Sequence, residues 1–178
     1  MSARLLRAGA FCRNPERFLR RISRGQDRSK VVRGTDMRDT ESIARGVFVE
    51  IAKRFPSLQM AENHDDPVEI SITMPAQPGL RHKVWLCLQN HDELGFGVGH
   101  FYIEFFPCTK SYCAEEYLDA VTGFLAGKYR VLEYYSGRRC YKAKLQKPRA
   151  DRWHTIATWA QFFGIPGFST RTVRELRN

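Results

Sequence analysis

The 178 residues suit one domain with an appendage, and 43% hydrophobic with 27% charged residues are globular proportions. No apolar run reaches the roughly 18 residues of a membrane-spanning helix, and no compact apolar stretch follows the first arginines as in a secretory signal. The net charge of +10 is unevenly placed: residues 1–36 hold ten Lys/Arg against three acids, residues 138–152 hold seven against one, and the remainder is slightly acidic.

Residues 1–36 read as a basic, disordered N-terminal extension, with Arg recurring without sustained periodicity and Pro15, Gly25 and Gly34 breaking any helix. Met37 is an alternative start. A mitochondrial presequence and an arm for nucleic acid or membrane are the competing readings of the same segment.

Residues 37–178 form the predicted single domain. Asp39 or Thr40 is placed to cap a helix whose stripe is Ile43, Val47, Phe48, Ile51 and Phe55, ended by Pro56. Val68 to Met74 alternates cleanly and reads as a half-buried strand. His82 to Gln89 is a second strand, and Asn90 to Asp92 turns the chain. Leu94 to Phe106 is further extended chain, broken at Gly97 and Gly99. A second helix runs from Ser111 to Ala126 on Ala114, Tyr117, Leu118, Val121 and Leu125, with Gly127 as the residue after its C-cap. Tyr129–Tyr135 and Arg139–Leu145 read as a hairpin around Gly137. Trp153 to Phe162 is a last strand, and residues 164–178 read as an irregular tail.

Short turns between neighbouring strands imply a mostly antiparallel sheet. The predicted fold is therefore α+β: a two-layer sandwich with two helices on one face, in the order α-β-β-β(-β)-α-β-β-β.

Several residue groups invite a chemical reading. Cys108 and Cys113, with His100 and Cys140, are candidate zinc ligands, but the spacing lacks the tight paired form and no second pair follows. Asn63-His64-Asp65-Asp66 and Asn90-His91-Asp92-Glu93 are turn-forming sequences, and a hydrolase built on His64, His91 and His100 is the reading they compete with. His100, Tyr102 and Glu104 alternate and are assigned to a polar outer face, with Phe101, Ile103 and Phe105 inward. Gly95-Phe-Gly-Val-Gly99 resembles a strand with close backbone approach more than a phosphate loop. No catalytic, cofactor-binding or metal-binding set is assigned, and the five cysteines read as reduced thiols in a cytoplasmic setting, or a mitochondrial one if residues 1–36 are a presequence.

The expected function is a non-enzymatic interaction domain that binds a protein or small ligand on an open sheet face. The alternative is a nucleic-acid-associated protein using the basic tail and the 138–152 segment. The candidate anion-binding residues are Arg138, Lys142, Lys144, Lys147, Arg149 and Arg152, and the partner is an acidic protein surface or nucleic acid. A two-residue turn at Gly137-Arg138 pairs Ser136 with Arg139, Glu133 with Lys142 and Tyr134 with Tyr141. That register puts Leu132, Tyr134, Tyr141, Ala143 and Leu145 on the apolar side and Glu133, Lys142 and Lys144 outside. No oligomeric state follows from the sequence.

Overall fold

The computed structural model describes residues 37–161 and 170–178, so the expectation for residues 1–36 lies outside the described residues. Among the described residues two helices and nine strands follow in order: α1 (Met37–Arg54), β1 (Ala61–Glu62), β2 (Ile70–Met74), β3 (Val84–Gln89), β4 (Glu93–Val98), β5 (Phe101–Phe105), α2 (Ser111–Leu125), β6 (Arg130–Ser136), β7 (Arg139–Arg149), β8 (Arg152–Ala160) and β9 (Arg171–Leu176). They form an α+β sandwich with two antiparallel sheets, ordered β1-β2-β3-β4-β5 and β8-β7-β6-β9. No helix among the described residues is long and apolar enough to cross a membrane.

The first sheet follows from alternation. Its register aligns Ile72, Leu86, Phe96 and Ile103 in one row. These rows make one apolar face, and the helices supply its lid. Tyr117 of α2 meets Phe105 at 5.6 Å and Phe48 of α1 at 6.3 Å, while Phe124 meets Phe96 at 6.0 Å. The helical stripe places Ala44, Phe48 and Ile51 in the same core. Helix α1 starts before the expected caps, so Asp39 lies in its first turn, where its negative charge complements the positive end of the helix dipole. Gly127 follows α2 at a positive φ of 67°, as its sequence position requires.

The second sheet was not separable in the sequence. Helix α2 interrupts the strand series, and β5 then runs alongside β7 and β8 without joining their ladder. The inner face of this sheet adds Val131, Ala143, Leu145, Trp159 and Leu176 to the common core.

The structure departs from the sequence expectation at two places in this sheet. Part of the supposed irregular tail is β9, paired antiparallel with β6 from Val131–Leu176 to Ser136–Arg171. Only Leu176 of this edge strand is buried, so it carries no apolar alternation to reveal it. The β6–β7 hairpin also departs from the expected register. Ser136 pairs with Arg139 and Tyr135 with Cys140, but Tyr134 then pairs with Lys142 and Glu133 with Ala143. Tyr141 is the extra residue of a β-bulge, and beyond it every side chain changes face relative to a regular ladder. Glu133 therefore points inward, while Leu132 and Tyr134 share the outer face with Lys142 and Lys144. The turn itself is as expected: of its two central residues only Gly137 takes a positive φ, 59°, which suits type II′.

Candidate functional site

The outer face of the second sheet gathers cations and aromatic rings from four strands. Tyr134 on β6 lies beneath Lys142 Nζ at 4.5 Å and Lys144 Nζ at 5.8 Å, with the Tyr141 ring 6.5 Å away. Trp153 on β8 lies beneath the Arg130 guanidinium at 4.1 Å and that of Arg177 at 5.6 Å. Arg171 and Val173 of β9 stand on the same face, since they pair with Ser136 and Tyr134. Glu175 also stands there, bonded to Arg130 at 2.8 Å. One acid thus faces five cations: Arg130, Lys142, Lys144, Arg171 and Arg177.

The six residues singled out in the sequence do not form one patch. Lys142 and Lys144 belong to this face. Arg138 lies at the tip of the β6–β7 hairpin. Arg149 and Arg152 pair with each other at the far hairpin, where Arg152 lies 3.8 Å from Asp151. Lys147 points to the opposite side and lies 3.8 Å from Asp119 of α2. Arg130, Trp153, Arg171 and Arg177 went unrecognised, because only the pairing of distant strands brings them together.

The inner face holds a buried carboxylate. Glu133, 1% exposed, accepts from the His100 backbone N–H at 2.6 Å and from the Tyr135 hydroxyl at 2.6 Å, and its Oε1 lies 3.2 Å from His100 Nδ1. Burial alone would raise this carboxyl, but the bonds from His100 and Tyr135 hold it below the ordinary carboxylate value. Arg174 stands across from it on β9. Burial and Arg174 together lower His82. The group pins the β4–β5 turn to the second sheet.

The outer face of the first sheet is polar but well covered. Trp85, Cys87, Gly95, Gly97, Tyr102 and Glu104 share it through the β3–β4–β5 register. Tyr102 lies flat across β4, where a Cβ at Gly95 would collide with the Tyr102 hydroxyl and Cys87 Sγ. The Trp85 and Tyr102 rings stand 5.7 Å apart, and Trp85 Nε1 donates to Ser71 Oγ, which in turn bonds Asp66. Gln89 Nε2 bridges Glu104 at 2.8 Å and Glu93 at 3.3 Å. Burial first, and the Glu93 charge second, raise the Glu104 carboxyl to about 7. His100 precedes this strand and turns toward Glu133, so the three alternating residues do not act on one spot. Tyr102, only 5% exposed, is covered rather than solvated.

The remaining candidates do not converge. His64 lies 3.8 Å from Glu62 and His91 lies 3.1 Å from Glu69, each apart from His100. Among the described residues no three His, Cys, Asp or Glu side chains are placed to hold a metal ion. Cys113 Sγ donates to the Phe106 carbonyl at 3.3 Å. Burial pushes the Cys108 and Cys140 thiols up to about 11, and Cys87 further, so none of these three is a thiolate at neutral pH. Comparison with protein families, with characterised proteins and with solved structures yields no match.

Proposed function

We propose that the chain is a non-enzymatic interaction domain whose outer second-sheet face binds single-stranded nucleic acid. One observation carries this reading: Tyr134 and Trp153 each stand among paired cations on an open antiparallel sheet. Cations neutralise phosphates, and aromatic rings stack unpaired bases without regard to sequence. An acidic protein surface would use the cations and leave the rings without a role. The arginine-rich residues 1–36 add positive charge to the same chain. The four described cysteines are free thiols, which fits a reducing compartment such as the cytoplasm.

The test is binding of a labelled single-stranded oligonucleotide, followed by fluorescence anisotropy across a salt series. Affinity should fall with a log–log slope of about −0.7 for each phosphate neutralised. Tyr134→Ala should weaken binding by about 1–3 kcal/mol at any one salt concentration. Lys142→Glu with Lys144→Glu should remove it. If the reversed variant binds as well as the parent at low salt, the face is not the site. If polyglutamate competes as well as nucleic acid, the ligand is an acidic protein surface.

A further inference from the structure

We propose that β9 pairs antiparallel with β9 of a second copy of this chain, centred on Val173, and that the protein is a two-fold dimer built on one continuous sheet. This goes beyond the binding reading and does not depend on it.

Half of the backbone groups of β9 are already used by β6. The Gly137 N–H donates to the Thr170 carbonyl at 2.9 Å. In an antiparallel ladder, alternate residues turn both their N–H and C=O to the same neighbour. Thr172, Arg174 and Leu176 therefore face β6, and Arg171, Val173 and Glu175 turn theirs to the outer edge. Among the described residues no strand pairs with that edge. Such a row is a template for another strand unless its side chains oppose pairing.

Here the side chains favour pairing with an identical strand. Val173, β-branched and 58% exposed, is one of the few large apolar side chains left at the surface. Centring two antiparallel copies on it sets Val173 against Val173 and each Arg171 against the other copy's Glu175. Both ion pairs lie on the outer face, and Glu175 there already holds Arg130. Shifting the register by one residue would set Val173 against Arg174 and Arg171 against Leu176, losing both matches. The centred register also makes all three outward-turned residues hydrogen-bonded pairs, so the backbone and side-chain patterns agree. The interface is isologous and closes on itself. The outer faces of both copies then form one surface of eight strands.

The full chain should sediment at twice its 20.7 kDa mass at high concentration and dissociate on dilution. Amide exchange at Arg171, Val173 and Glu175 should slow as concentration rises, while Thr172 and Arg174 stay protected throughout. Val173→Pro removes an N–H that β6 does not use, so the monomer should keep its circular dichroism while dimer affinity falls about tenfold or more. A monomer at every concentration would overturn the proposal. So would a dimer that survives Val173→Pro with the odd-numbered amides still exchanging freely, because another surface would then hold it.

Discussion

Glu104 makes the chain less stable at alkaline pH than it would be with a neutral side chain. Its carboxyl sits half-buried beside Glu93 and titrates at about 7 in the folded chain, against an ordinary 4.5. Between those two values the folded protein keeps a proton that the unfolded chain has lost. Stability therefore falls as pH rises through that window and levels off above it. An unscreened group held so far up would cost about 3 kcal/mol on ionisation. Partial contact with water reduces this to about 1–2 kcal/mol. Glu104→Gln keeps the shape and an oxygen for the Gln89 amide, and has nothing to ionise. The variant should match the parent at about pH 4.5 and exceed it by that margin at about pH 8. Urea denaturation followed by tryptophan fluorescence across this range measures the difference. A gap that does not change with pH, or a variant weaker than the parent at pH 8, would refute the reasoning.

Glu133 has the opposite sign. Its carboxyl is held low, so its stabilisation is present above the ordinary carboxylate value and disappears as pH falls through the folded-state value. Glu133→Gln should cost about 1–3 kcal/mol at neutral pH, with the deficit shrinking in acid, as the same denaturation series would record. Gly95→Ala should lower stability by about 1–3 kcal/mol in a urea series, because its methyl would displace Tyr102 and Cys87. Phe96→Ala, emptying the centre of the first sheet where the ring is fully buried, should cost about 3–5 kcal/mol in urea midpoint measurements.

The elements that could be read from sequence were those whose burial is periodic. Ile70, Ile72 and Met74 announce a strand, and Phe48 and Ile51 a helix face, because local spacing alone decides what they bury. The β6–β7 turn could also be read, since Gly137 sets its type. What lay hidden depends on partners far along the chain. A bulge leaves no local signature, so Tyr141 reversed the expected faces of Leu132, Glu133 and Tyr134. β9 is an edge strand with one buried side chain, so nothing in its spacing marks it. At the candidate site Lys142 and Lys144 were found from charge density. Arg130, Trp153 and Arg177 were not, because they meet only when β8, β7, β6 and β9 have lined up. Tyr102 was assigned to a solvated face, and the glycines that let it lie flat were recognised without their occupant.

The bulge at Tyr141 also determines which changes in chain length the second sheet can absorb. Position 141 accepts many side chains, since its ring lies on the outer face, and it has no partner of its own in the ladder. Removing it would turn the bulge into a regular ladder, with Lys142 still opposite Tyr134 and Ala143 still opposite Glu133. Pairing Tyr141 with Tyr134 instead, without a bulge, would turn Lys142 and Lys144 to the inward positions now filled by Ala143 and Leu145. Two ammonium groups would then face Trp159 and the common core, a cost that neighbouring side chains could not offset. The core thus holds the bulge in place, and a single deletion at this position of β7 would be absorbed without changing the face of any other side chain.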